Sequence, residues 1–230
     1  MRVILPMVHL DNIVFTPLPQ LRLKAVLVGE GICAADDVVI LEYRRDDSLQ
    51  FTLDDILAQR PDVVGFSCYT WSFVAVERLS AAIKSKDPSI RVIWGGPHVS
   101  EVPQRFIDLY PESVDTVVAW YGEGAIVEAL TTTERHIRRD APPLAALGNP
   151  YRADWLPATV TRDIENRVFL LETYRNCPFS CAYCLWGQAA KHLDALPADE
   201  VLSQVHDTIG IGAKIFMFAD AGLGIVRNPD

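Results

Sequence analysis

Between residues 2 and 131, short apolar runs alternate with helical patterns five times, and this alternation limits the possible folds more than any other feature. The apolar runs are residues 2–6, 38–43, 62–68, 90–94 and 114–119. Between and after them lie stretches of helical character at 18–30, 53–59, 73–85, 103–109 and 124–131. The clearest is 73–85, where Val76, Leu79, Ala82 and Ile83 share one side; Pro61 stops the one before it. The strands are continuously apolar rather than alternating, as in a parallel sheet covered on both faces. The fold class expected is therefore α/β: a doubly wound, Rossmann-like domain over residues 1–131. Such a domain takes its ligand at the carboxyl ends of its strands. Those ends fall in loops 6–15, 67–72, 95–100 and 120–124.

Periodicity is lost over residues 132–166. Four prolines, Pro142, Pro143, Pro150 and Pro157, interrupt this stretch, and Arg135, Arg138 and Arg139 open it with charge. It reads as a linker. A strand pattern returns at 167–172, followed by a helix at 198–209 and a strand at 214–219. A strand, helix and strand in this order look like the opening of a (β/α) barrel, whose full form needs at least ~200 residues. The expectation for residues 167–230 is an incomplete, truncated barrel, so the chain reads as a fragment.

Between that strand and helix lie three of the five cysteines, Cys177, Cys181 and Cys184, spaced C-x3-C-x2-C. A structural zinc site needs four closed ligands, whereas three thiolates on a 4Fe-4S cube leave one iron open. Zinc with a distant fourth ligand such as His192 is the competing reading. Cys33 reads as a small, partly buried residue and Cys68 as a strand-end packing residue that can face a ligand.

The spacing, with Tyr183 before the last cysteine, resembles the C-x3-C-x-aromatic-C motif of radical S-adenosylmethionine (SAM) enzymes. The resemblance implies that Cys177, Cys181 and Cys184 hold a 4Fe-4S cluster and that Tyr183 lies against SAM. Asp220, at a strand end, is then a candidate contact to the SAM amine or ribose, or simply a solvated carboxylate. Upstream, Ser67-Cys68-Tyr69-Thr70-Trp71, then Gly95-Gly96-Pro97-His98-Val99-Ser100, then Gly122-Glu123-Gly124 occur at successive strand ends. Together with the cysteine loop they resemble the cobalamin-dependent radical SAM family. That resemblance implies cobalamin contacts by Tyr69, Trp71, Gly95, Gly96, Pro97, Gly122, Glu123 and Gly124, the glycines allowing close approach of the backbone to a planar cofactor.

There are departures. No histidine has aspartate two places before it, so the D-x-H-x-x-G cobalt-ligand motif is absent. Ala125 stands where a second acidic residue is customary, and Ser72 where asparagine is common. His98 reads as a turn residue ahead of a ligand or proton donor.

The family implies methyl transfer to an unactivated carbon of a small molecule through a 5′-deoxyadenosyl radical. An electron donor such as flavodoxin or ferredoxin is implied as partner. A cobalamin-dependent cyclase or rearrangement enzyme and a non-catalytic cobalamin-binding remnant are the alternatives. The tRNA methylthiotransferases use three further cysteines in their first domain, where this chain has two. The net charge of −9 excludes a general nucleic-acid or anionic-membrane surface. No apolar run reaches the ~18 residues of a membrane span. With no leader pattern and no disulfide framework, a reducing cytoplasm is the expected compartment.

Overall fold

The computed structural model describes residues 1–10, 14–186 and 193–222, and the chain divides into two compact units, Met1–Ala141 and Pro142–Asp230. In the first unit the elements run β1 (Val3–His9), α1 (Leu18–Gly29), β2 (Val38–Arg44), α2 (Leu49–Ala58), β3 (Val63–Ser67), α3 (Phe73–Lys86) and β4 (Arg91–Gly95). They continue with α4 (Pro97–Ser100), α5 (Pro103–Leu109), β5 (Thr116–Trp120), α6 (Gly122–Ala129) and β6 (His136–Arg139). All six strands pair in parallel, in the order β2-β1-β3-β4-β5-β6. This is a doubly wound, Rossmann-like sheet whose order reverses between β1 and β3, the switch point at which such sheets take ligands.

The β1–β3 seam is paired only at Val3–Val63 and Ile4–Val64, while β1 stays in register with β2 along its whole length. Pro6, which has no N–H to donate, lies inside β1 just beyond the point where the β1–β3 register ends. The strand expected to stop at residue 6 therefore runs to His9.

Every residue of β1 is buried. The core is built around Trp94 on β4, against Phe73, Val76, Leu79 and Ile83 of α3. Its indole N–H donates to Ser80 Oγ at 2.9 Å, and that hydroxyl donates to the Val76 carbonyl at 2.7 Å, so the buried polar groups are satisfied.

The expected linker over 132–166 is corrected at its start: residues 136–139 form the edge strand β6. Only Ile137 of its four residues is buried, so it shows no apolar run. Arginine-rich edges of this kind resist pairing with further chains. The boundary between units falls at 141/142.

The second unit carries α7 (Ala158–Arg162), β7 (Val168–Leu171), β8 (Tyr174–Arg175), β9 (Asp194–Ala195), α8 (Ala198–Gly210) and β10 (Ile215–Phe218). β7 and β10 pair in parallel across α8, a βαβ crossover. Phe169 packs against Phe216 and Tyr151, and Tyr151 donates its hydroxyl proton to the Leu170 carbonyl. Among the described residues, no helix is long and apolar enough to cross a membrane.

Candidate functional site

Three strand ends of the first unit are bound into one platform by backbone hydrogen bonds. Cys68 donates its N–H to Gly95 O at 2.7 Å, and its carbonyl accepts the His98 N–H at 3.1 Å. Ser100 ties in the third strand: its hydroxyl donates to Gly96 O at 2.8 Å and accepts the Trp120 N–H at 2.9 Å. That bond holds Trp120 at φ +69°, a left-handed conformation unusual for a bulky residue, with Arg138 stacked over its ring at 5.5 Å. Ser100 closes the second strand-end motif of the sequence, but no role was assigned to it there. A serine one turn past a glycine is a common helix feature and carries no distinctive signal.

Gly96 has φ +94°, and a Cβ there would sit 2.9 Å from both the N and O of Cys68. Gly124 is tighter still, since its Cβ would fall onto the Asp140 carbonyl oxygen. The close backbone approach expected toward a cofactor is thus, at these two glycines, an approach to the protein's own chain. Gly122 faces Leu23 of α1, and Gly95 meets Val118 only at ordinary contact distance. Pro97 begins α4 directly after Gly96.

Tyr69 and Trp71 stack at 4.6 Å, nearly parallel, in the turn after β3, and Trp71 is 39% exposed. Ser72 closes the turn by accepting the Tyr69 N–H at 3.1 Å. Burial, and then the nearby Glu123 charge, push the Tyr69 hydroxyl up to about 12. An exposed flat ring backed by a second ring, on strand ends locked by hydrogen bonds, fits a large planar group.

The remaining candidates of this unit are structural. Cys68 is fully buried and burial pushes its thiol far up, so it offers neither a thiolate nor a ligand-facing group. Cys33 is likewise buried, its thiol raised by burial. His98 packs between Phe73 and Phe106, and burial lowers its basicity. At the end of β1, His9 Nε2 pairs with Glu42 at 2.9 Å, both side chains nearly inaccessible.

In the second unit the cysteine loop leaves β8 and returns at β9, whose antiparallel pairing closes its base: Tyr174 opposite Ala195, Arg175 opposite Asp194. Glu172 and Arg175 form a two-pronged ion pair at 2.8 and 2.9 Å. Asn176 takes φ +75° and turns the chain into Cys177. All three cysteines are free; Cys177 is buried, Cys184 half-buried and Cys181 exposed. Tyr183 is 92% exposed. Among the described residues no three His, Cys, Asp or Glu side chains converge on one point. A cube that takes one thiolate per iron holds its sulfurs farther apart than the ligands of a single ion. His192 lies outside the described residues. Asp220 is not a solvated carboxylate, since its oxygens accept bonds from Thr173 and Tyr174.

Strand order and platform define a class: a ligand-binding, doubly wound α/β domain, followed in the same chain by a βαβ unit with a three-thiol loop. The B12 binding domain family model matches residues 14–130. The cobalamin-dependent radical SAM methyltransferase TokK of Streptomyces tokunonensis is 32% identical over 154 aligned positions, covering 56% of this chain and 22% of its own length. The 2-(S-pantetheinyl)-carbapenam-3-carboxylate methyltransferase of Streptantibioticus cattleyicolor is 29% identical over 192, covering 72% of this chain and 28% of its own. The structure of the cobalamin-dependent SAM radical enzyme OxsB, with aqua-cobalamin and SAM bound, shares the fold at a TM-score of 0.73 and 16% identity, over 96% of this chain and 34% of that one. The chain belongs to the B12-binding domain family. It spans about a quarter of the length of the curated relatives it matches.

Proposed function

We propose that the chain is the cobalamin-binding and cluster-binding portion of a radical SAM methyltransferase acting on an unactivated carbon of a small molecule. The observation that carries this reading is the pairing, in one chain, of a B12-binding domain with a strand-borne loop of three free cysteines. When bound, the cluster supplies the electron that cleaves SAM to a 5′-deoxyadenosyl radical, and cobalamin carries the methyl group.

The chain's own residues hold and orient. Cys177, Cys181 and Cys184 are the thiolate donors, soft ligands suited to iron–sulfur clusters. Tyr183 offers an exposed ring to the SAM adenine. Trp71, backed by Tyr69, gives the corrin a flat apolar surface; Gly95 and Pro97 at the end of β4 and Glu123 at the start of α6 line the same platform. An electron donor of the flavodoxin or ferredoxin type serves the cluster.

The test is anaerobic reconstitution of the chain with iron and sulfide in the presence of hydroxocobalamin, read by ultraviolet–visible absorbance and paramagnetic resonance. Cluster and corrin signals that co-purify with the protein support the reading. Their joint absence, or bound zinc without iron, overturns it.

A further inference from the structure

We propose that Asp220 is a positioning residue for the cysteine loop, acting through Thr173 and Tyr174 rather than on SAM. The inference rests on the reading above only for the loop's cargo. β7 and β10 end side by side, Phe218 opposite Leu171, and the Ala219 N–H donates to Leu171 O at 2.7 Å. One residue further the ladder has stopped, and two adjacent backbone N–H groups need other acceptors. Asp220 provides them. Its Oδ1 accepts the N–H of Thr173 at 2.8 Å and of Tyr174 at 3.3 Å, and its Oδ2 accepts the Thr173 hydroxyl at 2.5 Å.

Gly222 adds a second hold. Its N–H donates to the Tyr174 hydroxyl oxygen at 2.5 Å, while its carbonyl accepts that hydroxyl's proton. Residues 220–222 thus form a strap across the last two residues before Arg175, Asn176 and Cys177. Both carboxylate oxygens face the protein's own donors. Bonds to an ionised acceptor are about twice as strong as neutral ones, which suits a fixture that must keep the loop's entry from fraying. A fixed entry narrows the range of positions the three thiols can take and so favours cluster binding.

The experiment compares wild type with D220A, D220N and T173V in the full chain, first without iron. Hydrogen exchange at the Thr173 and Tyr174 amides should speed up by about tenfold or more in D220A, while α8 keeps its protection. D220N, which retains an oxygen acceptor for the amides, should recover most of that protection, and T173V should lose less than D220A. After anaerobic reconstitution, D220A should retain several-fold less iron after desalting and show an altered resonance spectrum, with D220N restoring both. Unchanged exchange at Thr173 and Tyr174 in D220A overturns the proposal. So does wild-type iron content and spectrum in D220A together with loss of the spectral response to added SAM, which would make Asp220 a direct SAM contact. If D220A unfolds the unit, D220N decides: failure to protect the two amides overturns the strap. A wild-type chain that takes up no iron counts against the cluster reading, and the iron-free exchange still decides the role of Asp220.

Discussion

Replacing Gly96 by alanine is the sharpest probe of the strand-end platform. The residue sits at φ +94°, and the new methyl would lie 2.9 Å from the backbone N and O of Cys68. With ψ 172° the residue lies in a positive-φ region essentially reserved for glycine, which costs any other residue about 1–3 kcal/mol. Relieving the clash adds about 1–3 kcal/mol, because the obstacle is backbone rather than a side chain that can turn away. The total, about 2–6 kcal/mol, is a large share of the roughly 5–15 kcal/mol that holds a typical domain. The movement that relieves it pulls apart the Cys68–Gly95 and His98–Cys68 bonds, so cobalamin binding falls as well. G95A is the control: its Cβ meets Val118 only at 3.6 Å, so stability should stay within about 1 kcal/mol of wild type. Hydrogen exchange of the β3 and β4 peptides across a urea series gives the stabilities, and hydroxocobalamin titration gives the affinities. Comparable destabilisation by the two variants, or a G96A chain as stable as wild type, would refute the reasoning. A G95A chain that is stable but binds cobalamin poorly would place the cofactor against Gly95.

Other outcomes follow from the same geometry. W71A should weaken hydroxocobalamin binding about tenfold in a spectroscopic titration and barely change stability, because a stacked ring that is already 39% exposed is lost. S100A strands the Trp120 N–H and should cost about 1–3 kcal/mol, read as a lower urea midpoint with an unchanged slope. Tyr69 has its hydroxyl raised to about 12, so the folded state holds a proton that the unfolded chain releases near pH 10. Its contribution to stability is full below about pH 10 and is lost as the pH rises toward 12. The tyrosinate absorbance difference between wild type and Y69F should show this titration, and E123Q should shift it toward lower pH.

β1, β3, β4 and β5 were legible because a strand largely buried on both faces is mostly apolar, and β2, an edge strand with three of its seven residues buried, was legible from the apolar run that opens it. β6 was not, because an edge strand with one buried residue, Ile137, has the composition of a loop. Pro6 looked like a strand end because the divergence of β1 from β3 that accommodates it is a relation between distant segments. At the site, the cysteine spacing is local and could be read directly. The glycines were readable as positions of close approach, but what approaches is long-range: Cys68 for Gly96, and Asp140 for Gly124. Asp220 was identified as a strand-end carboxylate, yet its partners lie 46 and 47 residues earlier in the chain.

That separation imposes an order in time on biosynthesis. The ribosome releases the three cysteines before Asp220 and β10 exist. At about 5–20 residues per second, Asp220 follows Cys184 by roughly 2–7 s. During that interval the thiols stand on a nascent chain in which β7 lacks its parallel neighbour β10 and the loop's entry lacks its strap. On the proposed reading, loading of the loop belongs after release of β10. Until then, these thiols are open to oxidation and to capture of stray metal ions.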